Sequence, residues 1–390
     1  MKNYDIIIIG AGPVGLCFSA ALSGCGLKIA VIEKQSAQAI ADPIYDGRDI
    51  AITHFSKQVL DQLGVWQHIP SDQISEIKKA KVLNGTSLYA LEFNASDVGK
   101  KALGCLVSNH LIRKAAFENI KGLPDVDLIT DVTTEEAHSN NLSAHIKLSN
   151  GEELDCQLLV ASDGRFSKIR QKMGISAKMQ DFGRLIIVCQ MELETYHDNV
   201  AYECFHYGST LAVLPLCGNK VSIIMTVYQH EADILMSMWV EQFNINIEQR
   251  FSSKYGKMIL KGERYSYPLT SVYADRFIGQ RFALIGDAAV GMHPVTAHGF
   301  NFGLAGMHTL STEIKKAVKL GGSIASQSLL EHYQRTHKRK TKPLYLATNA
   351  IAKLFTNDEQ PSKFVRDILL KIANRASPLK KMIISTLTKS

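Results

Sequence analysis

The sequence predicts an α/β protein in which a mostly parallel sheet carries an inserted antiparallel β-lobe, with helices at the C-terminus. A continuous apolar run at residues 4–9 has the length and character of a parallel strand that is buried on both faces. Several strand-like runs follow one another in residues 184–230, which is typical of an antiparallel sheet. After Pro268 the alternation of strands and helices resumes, so the segments on both sides of the lobe are expected to share one sheet.

These patterns predict a discontinuous nucleotide-binding domain, a smaller lobe and a C-terminal helical unit. A length of 390 residues is enough for two domains, or for one large domain with an insertion. Alternation around Asn84 and Gly85 predicts a hairpin in the lobe. The expected boundaries are 1–74, 98–180 and 268–345 for the nucleotide-binding domain, 75–97 and 181–267 for the substrate-binding lobe, and 346–390 for basic amphipathic helices.

Local patterns add expectations for single segments. Residues 105–119 are predicted to be helical, and residues 154–175 to form a strand followed by a helix. Two helices, near 327–354 and 361–389, are expected to close the chain.

A glycine-rich turn follows the first strand and indicates a bound nucleotide. Gly10 permits a tight turn, Gly12 lets a pyrophosphate approach the backbone, and Gly15 lets the next helix pack close to the sheet. The helix start offers free N–H groups to phosphates. A second strand ends at Glu33, whose carboxylate can accept hydrogen bonds from a ribose. The full strand–turn–helix–strand context predicts a Rossmann-like domain, but it does not separate FAD from NAD.

A second glycine-rich loop, GDAAVGMHPVTAHGFNFG at residues 286–303, follows an apolar strand. The loop carries an aspartate, two histidines and a proline, and few bulky side chains. Such a composition indicates that a flat or phosphorylated ligand approaches the backbone there.

Composition excludes several other classes of protein. No apolar run is long enough for a transmembrane helix, and no ligand spacing predicts a metal site. Seven scattered cysteines without a C-x-x-C pair are expected to be reduced thiols. Residues 331–390 hold thirteen Lys or Arg against four Asp or Glu, so the net charge of +7 belongs to the tail. This asymmetry favours an anionic surface partner and gives no indication of nucleic-acid binding.

Three ordered motifs resemble those of the class A flavoprotein monooxygenases. They are G-A-G-P-V-G with Glu33, S-D-G at 162–164, and G-D-A-A…H-P…H-G-x-N-x-G at 286–303. Within that family, residues 46–66, 104–117 and 267–294 resemble the ubiquinone-biosynthesis hydroxylases, and the last loop is most similar to the UbiM-type branch. The loop departs from the common family form at three positions, Val290, Ala297 and His298.

The resemblance implies FAD as the cofactor and a para-hydroxybenzoate hydroxylase-like fold. Asp287 is expected to accept from the ribityl hydroxyls, and the helix that starts at Gly299 to face the flavin pyrimidine edge. Three positions have an alternative interpretation. Arg48 is alternatively a solvated charge on a loop, Asn109 a helix N-cap, and Val132 a residue that only packs in a strand. The cofactor-binding residues expected from the motifs and the resemblance are Gly10, Ala11, Gly12, Pro13, Gly15, Glu33, Arg48, Asn109, Val132, Asp163, Gly164, Gly286, Asp287, Pro294, Gly299, Phe300 and Asn301.

The implied reaction is hydroxylation of an aromatic ring by O2 through a flavin C4a-hydroperoxide. Its candidate catalytic residues are Pro294, which shapes the loop against the ring, and His293 and His298, for which proton transfer and loop shaping are equally good interpretations. NAD(P)H is the expected electron donor, although the absence of a second dinucleotide motif leaves a separate reductase open. Phe205, Tyr207 and Tyr228 are candidates for the wall of a ring pocket, or for core packing.

The implied substrate is a polyprenylated phenol or quinol of ubiquinone biosynthesis, such as 5-demethoxyubiquinol. A cytoplasmic enzyme at the inner face of the membrane is expected, with the basic tail on anionic lipid, packed as a lid, or docked to other ubiquinone-biosynthesis proteins. Two alternatives stay open. They are a flavin hydroxylase of a small soluble aromatic acid, whose pocket needs an arginine, and a flavin-bearing assembly subunit without activity.

Overall fold

The computed structural model describes residues 2–84, 90–206, 209–293 and 298–356. The strands of these residues are β1 Lys2–Ile9, β2 Ile29–Ile32, β3 Asp49–Ile52, β4 Ser75–Ile77, β5 Lys79–Asn84, β6 Ala90–Asn94, β7 Gly104–Ser108, β8 Val126–Ile129, β9 Thr134–Ser139, β10 Ala144–Leu148, β11 Glu153–Ala161, β12 Ala177–Leu193, β13 Val200–His206, β14 Ser209–Pro215, β15 Lys220–Tyr228, β16 Met258–Ala274, β17 Ile278–Gly279, β18 Phe282–Leu284 and β19 Val290–Gly291. The α-helices are α1 Pro13–Leu22, α2 Ala37–Ala41, α3 His54–Gln62, α4 Asn109–Ile120, α5 Lys168–Lys172, α6 Gln229–Ser237, α7 Val240–Arg250, α8 Gly299–Lys319 and α9 Gln327–Thr356.

The first sheet has the strand order β17-β18-β11-β1-β2-β8, and β10 and β9 extend it from β11. Strand β1 is parallel to β11 and β2, β2 is parallel to β8, and β11 is parallel to β18. Residues 6–9 of β1 are buried because neighbouring strands and helices cover both of its faces. The predicted α/β sheet, interrupted in sequence by the lobe, is confirmed.

The second sheet, called the lobe sheet below, has the order β19-β16-β12-β15-β14-β13-β5-β6. Its neighbours are antiparallel except β13 and β5. One face buries an apolar cluster that includes Ile187, Ile223 and Phe243, so this face is covered by α6 and α7. The strands predicted within 184–230 are confirmed. Strands β12 and β16 both run past the predicted ends of the lobe, and the domain boundaries themselves stay a prediction.

A third, three-stranded sheet, β3-β7-β4, lies against the other face of the lobe sheet. Ile77 and Leu106 of this small sheet form one apolar cluster with Ala201 and Leu216. The face of the lobe sheet that carries Ala201 is called the inner face below. It is turned toward β3, and through β3 toward the first sheet.

Some segment predictions were wrong in detail. Residues 104–108 form β7, and α4 begins only at Asn109, because pairing with β3 and β4 fixes the preceding residues as a strand. The pattern analysis also missed α6 and α7. The hairpin strands β5 and β6 pair as predicted, but their turn, residues 85–89, lies outside the described residues. The helix predicted for 361–389 lies outside them as well.

Close packing of α8 on α1 explains two of the loop glycines. A Cβ on Gly303 would lie 2.8 Å from Cγ2 of Val14, and a Cβ on Gly286 would lie 3.5 Å from Cγ1 of the same side chain. Any side chain at Gly303 would therefore push α8 away from the start of α1. Within the described residues, no helix is long and apolar enough to cross a membrane.

Helix α9 buries a histidine, and this makes stability depend on pH. His337 is 1% exposed and stacks on Tyr333, and a Cβ on Gly306 of α8 would lie 2.8 Å from its Nε2. Burial, helped by the charge of Lys340, lowers the pKa of His337 to about 3. In the unfolded chain this histidine is protonated below about pH 6.5, whereas in the folded chain it stays neutral down to about pH 3. The free energy of unfolding therefore falls as the pH is lowered from about 6.5 toward 3.

We expect His337→Leu to flatten this pH dependence. Between pH 7 and pH 5 the wild-type free energy of unfolding should drop by about 2 kcal/mol more than that of the variant. Denaturant unfolding of the FAD-saturated protein measures the difference. Gln334→Leu, which changes a non-titrating neighbour on α9, should keep the wild-type slope. Parallel pH curves for wild type and His337→Leu would contradict the prediction.

Candidate active site

The start of α1 is shaped by three glycines with different structural roles. Gly10 has φ +106°, and a Cβ there would lie 2.6 Å from the carbonyl oxygen of Ser162. A Cβ on Gly15 would lie 2.1 Å from the carbonyl oxygen of Gly10, so this glycine lets the helix approach the turn. A Cβ on Gly12 would meet nothing within 4 Å, and no side chain caps the helix. Open space therefore faces the free N–H groups of the first turn.

Glu33 and Val132 lie beside this turn. The Oε2 of Glu33 accepts a hydrogen bond from the N–H of Ala11 at 2.7 Å, and its Oε1 accepts from the N–H of Gln35 at 3.0 Å. The N–H of Val132 donates to the carbonyl of Glu33 at 3.2 Å, and the Val132 side chain is buried. The end of β2 and the residues after β8 thus border the glycine turn together.

The S-D-G motif meets the first motif at Gly10, as the Ser162 contact shows. The Oδ2 of Asp163 accepts from the N–H of Ile169 at 3.2 Å, while its Oδ1 is buried and has no hydrogen-bond partner within the described ranges. Burial raises the pKa of Asp163, against the hydrogen bonds from Ser167 and the α5 backbone. Gly164 has φ +88°, a conformation that favours glycine.

Two arginines after this motif were missed by the sequence analysis. The Nη2 of Arg165 lies 3.0 Å from Oδ2 of Asp287, and its Nη1 donates to the carbonyl of Thr270 at 2.6 Å. Arg170 is 1% exposed and donates to the carbonyl of Ala288 at 2.9 Å. The only available signal was their place in the run ASDGRFSKIR, directly after a buried strand. They join the S-D-G segment to the loop that begins at Gly286.

Arg48 is held by its neighbours on the segment before β3. It forms an ion pair with Asp46, and its guanidinium lies 5.6 Å from the ring centroid of Tyr267. Burial lowers the pKa of Arg48, but the hydrogen bond and charge of Asp46, with smaller contributions that include the charge of Asp287, raise it overall. Asn109 is the first residue of α4, not its N-cap, and its Nδ2 donates to Oδ2 of Asp46 at 2.9 Å. Asn109 therefore positions the Arg48 segment.

The start of α8 faces Asp287. A Cβ on Gly299 would lie 4.0 Å from Oδ1 of Asp287, and no side chain caps this helix. The Oδ1 of Asn301 accepts from the N–H of Thr53 at 3.0 Å, and its Nδ2 donates to the carbonyl of Ala51 at 2.8 Å. The Asn301 amide thus fixes the helix start against β3, while Phe300 packs partly buried against the main core.

The two loop histidines are both buried. His293 packs edge-on against Phe182 with ring centroids 4.9 Å apart, and burial together with the charge of Arg165 lowers its pKa to about 4. His293 is therefore neutral at neutral pH. His298 lies 5.7 Å from the ring of Phe302 by centroids, and both histidines make further interactions. Pro294, the remaining candidate catalytic residue, lies outside the described residues.

These features fit FAD. Two helix starts without side-chain caps lie beside glycines, the Gly12 position is open, and a buried carboxylate oxygen of Asp163 lacks a partner among the described residues. The three motifs, far apart in sequence, meet at Gly10 with Ser162, at Val14 with Gly286, and at Arg165 with Asp287. In the parts of the chain that the structure covers, no group of three His, Cys, Asp or Glu side chains is arranged to hold a metal ion.

Comparison with known proteins agrees with this geometry. The family model described as FAD binding domain matches residues 3–345. The chain belongs to this family. It is 42% identical over 390 residues to the ubiquinone hydroxylase UbiM of Neisseria meningitidis, covering 99% of this chain and 85% of the relative. It is 30% identical to the ubiquinone hydroxylase UbiL of Rhodospirillum rubrum, covering 98% and 88%. The chain is thus an FAD-dependent monooxygenase of the ubiquinone hydroxylase group.

A solved structure shows the same fold. The p-nitrophenol 4-monooxygenase PnpA of Pseudomonas putida superposes with a TM-score of 0.80 at 16% sequence identity, over 100% of this chain and 99% of that chain. The predicted fold class is therefore confirmed. FAD is the cofactor, and NAD(P)H and O2 are the co-substrates typical of this family.

The bound FAD supplies the electron transfer and oxygen activation of the reaction. The chain's own residues bind and orient it. The N-termini of α1 and α8 have no side-chain caps and carry the positive ends of the helix dipoles, which would stabilise negative charge on a bound FAD. Arg165 fixes the Asp287 carboxylate, and His293 is buried with its ring edge-on against Phe182.

Proposed function

We propose that this protein hydroxylates the aromatic ring of a polyprenylated ubiquinone precursor, such as 5-demethoxyubiquinol. The observation that carries the proposal is the similarity to the Neisseria ubiquinone hydroxylase along nearly the whole chain. The lobe supports it, because the inner face of its sheet is mostly apolar. The inner-face residues on the rows beside the one that the third sheet covers are Ile186, Val188, Glu203, Phe205, Thr210, Ala212, Ile224 and Thr226.

The FAD contacts belong to the same proposal. The glycine turn at 10–15, with Ala11 and Pro13, and Glu33 with Val132 take the ADP half. Asp163, Gly164, Gly286 and Asp287 take the ribityl side, and Arg48, Asn109 and the 294–301 segment take the ring. Pro294, His293 and His298 are proposed to shape the ring face, with His293 as a neutral imidazole because of its low pKa.

A quinone profile by mass spectrometry tests the reaction. A strain that lacks this gene, grown with air and without a redundant hydroxylase, should accumulate precursors that lack one or more ring oxygens. Their masses report how many hydroxylations depend on the protein. The wild-type gene should restore the profile, as should Asp233→Ala, an exposed change on α6, whereas a normal profile in the deleted strain would refute the proposal.

One observation favours a second candidate, a hydroxylase of small soluble aromatic acids. Arg184 is 6% exposed at the edge of the inner face, and its guanidinium carbon lies 3.5 Å from the ring centroid of Tyr228. A carboxylate substrate needs such an arginine. Unchanged quinones in the deleted strain, together with benzoate-class binding that Arg184→Met abolishes, would establish this second function instead.

We further propose that the enzyme works at the inner, cytoplasmic face of an anionic membrane. The exposed side of α9 carries a shallow, open groove lined by Arg335, Lys338, Arg339, Lys342 and Leu346, with Glu331 as the acid at its edge. Lipid phosphates are attracted by such a cluster, at about 1 kcal/mol for each nearby cation. Residues 361–389 hold more Lys and Arg than Asp and Glu, so this segment is also basic. It lies outside the described part of the chain.

Vesicle flotation checks this location. The triple change Arg335→Gln, Arg339→Gln and Lys342→Gln should reduce binding to vesicles with 30% phosphatidylglycerol by about 10-fold or more, since it removes three such attractions. Binding to pure phosphatidylcholine should be weak for both proteins. A triple change in exposed lysines outside the groove, Lys34→Gln, Lys100→Gln and Lys178→Gln, is the matched control. Equal flotation of wild type and groove variant would leave partner proteins or a lid as the role of the tail.

A further inference from the structure

Glu203 places a carboxyl group on the inner face of the lobe sheet. Its strand neighbours Tyr202 and Cys204 belong to the apolar cluster on the opposite face, so strand alternation turns Glu203 inward. In register it lies opposite Ala212 of β14 and Val82 of β5. The carboxyl is thus flanked on both neighbouring strands by small or apolar side chains.

Residues that lie opposite one another on successive strands form a row across the sheet, and the row that contains Glu203 leads to the proposed flavin side. From Glu203 it runs through Ala212 and Ile224 to Val188, three strands or about 14 Å away. A Cβ on Gly47 would lie 2.7 Å from Cγ2 of Val188, so this end of the row touches the segment that carries Arg48. The preceding row, with Ala201, is covered by the third sheet.

No hydrogen bond or ion pair joins the Glu203 side chain to any other residue in the described ranges. Burial raises the pKa of Glu203 to about 8, yet the residue keeps some accessible surface. Other charges are remote from it in the sheet. Lys81 and Lys254 lie with Tyr202 on the opposite face, and Asp49 of β3 faces the next row at Ser222.

A buried carboxyl with no partner among the described residues opposes folding, because burial penalises its charged form and those residues offer no compensating hydrogen bond. Leucine at this position would pack against Val82 and Ala212 at no such cost. A carboxyl that keeps accessible surface in this condition is suited to a ligand that completes its hydrogen bonding.

We propose that Glu203 binds the ring hydroxyl of a phenolic substrate and accepts its proton as the ring is hydroxylated. The step starts from the ionised form of Glu203, which its raised pKa makes the smaller fraction at neutral pH. The phenol O–H bond breaks, an O–H bond forms on the Glu203 carboxylate, and the freed electron pair enriches the ring. When the product regains its hydroxyl, the proton returns from Glu203, so the residue ends unchanged. This inference rests on the proposed function, because it requires a phenolic ring beside the inner face of the lobe sheet.

Ligand binding to the FAD-loaded enzyme tests it, with flavin absorbance as the signal. The probes are a phenol carrying a two-isoprene chain beside the hydroxyl, and its methyl ether. Wild type should bind the phenol at least tenfold more tightly than the ether, and Glu203→Leu should bind both alike. Glu192→Leu, the same change at an exposed glutamate of β12 paired with Lys261, should keep the preference.

The outcomes separate the two proposals. A Glu203→Leu enzyme that keeps the tenfold preference overturns the role of Glu203 and leaves the proposed function intact. A wild type that binds neither probe overturns the proposed function, and the role of Glu203 with it. A lower melting temperature of Glu203→Leu would show that the carboxyl is structural, since an unpartnered carboxyl predicts an equal or higher one.

Glu203→Gln gives an independent test that preserves shape and hydrogen bonding. Because glutamine cannot accept the proton, kcat with the prenylated phenol should fall about 30-fold or more, while KM changes less than threefold. An unchanged kcat overturns the proton transfer.

Discussion

Replacing Asp287 by alanine is expected to weaken FAD binding by about 10- to 100-fold. The carboxylate lies beside Gly299 at the open start of α8 and is held by Arg165 at 3.0 Å. Loss of hydrogen bonds to a charged group costs about 1.5–3 kcal/mol, which corresponds to that range of affinity. Quenching of FAD fluorescence on titration with apoprotein measures the dissociation constant directly.

Two further variants identify the cause of the loss. Asp287→Asn keeps the shape and one acceptor but removes the charge, so its affinity should fall between wild type and alanine. Arg165→Met frees the carboxylate without removing it, and a loss equal to that of Asp287→Ala would assign the effect to Arg165. Asp233→Ala on α6 is the control for an unrelated carboxylate. FAD binding by Asp287→Ala within twofold of wild type would contradict the proposed contact to the ribityl chain.

The first motif was predictable because all its requirements are local. Strand β1, the turn glycines and the start of α1 lie within about twenty consecutive residues, and each glycine has a steric reason that a single turn imposes. The structure shows these reasons as the contacts of Gly10 and Gly15 with nearby backbone oxygens. The order of the three motifs was also enough to predict that they share one sheet.

The ion pair between Arg165 and Asp287 was beyond such prediction. Its partners are 122 residues apart and follow β11 and β18, which become neighbours only through the pairing of the first sheet. Nothing in a local pattern distinguishes this arginine from an exposed loop cation. The same holds for Glu203, whose raised pKa arises from β5 and β14 on either side of β13.

Strand β7 shows where local preference loses to tertiary context. Residues 105–119 carry a helical pattern, but the pairing of β7 with both β3 and β4 supplies hydrogen bonds that the first residues of a helix would lack. The helix therefore starts at Asn109. The hydroxyl of the preceding Ser108 donates a hydrogen bond to the carboxylate of Asp49. The interruption brings Asn109 next to Asp46, and so contributes to the site.

Alanine at Gly12 and at Gly15 is expected to damage the enzyme in two different ways. At Gly15 the added Cβ would lie 2.1 Å from the Gly10 carbonyl oxygen, so the backbone must move. We expect a loss of about 3 kcal/mol or more in the free energy of unfolding, comparable to other overpacked positions. At Gly12, with φ −68° and ψ 168°, alanine adopts the backbone without strain and meets no neighbour.

Gly12→Ala should therefore leave the apoprotein as stable as wild type and still bind FAD at least about tenfold more weakly, because the methyl group takes the space that the pyrophosphate needs. Thermal unfolding of both apoproteins, followed by FAD titration, separates the effects, and each variant is the control for the other. A stable Gly15→Ala would refute the close approach of α1 to its turn. Tight FAD binding by a stable Gly12→Ala would mean that the methyl group does not meet the pyrophosphate. The pyrophosphate would then not lie at the start of α1.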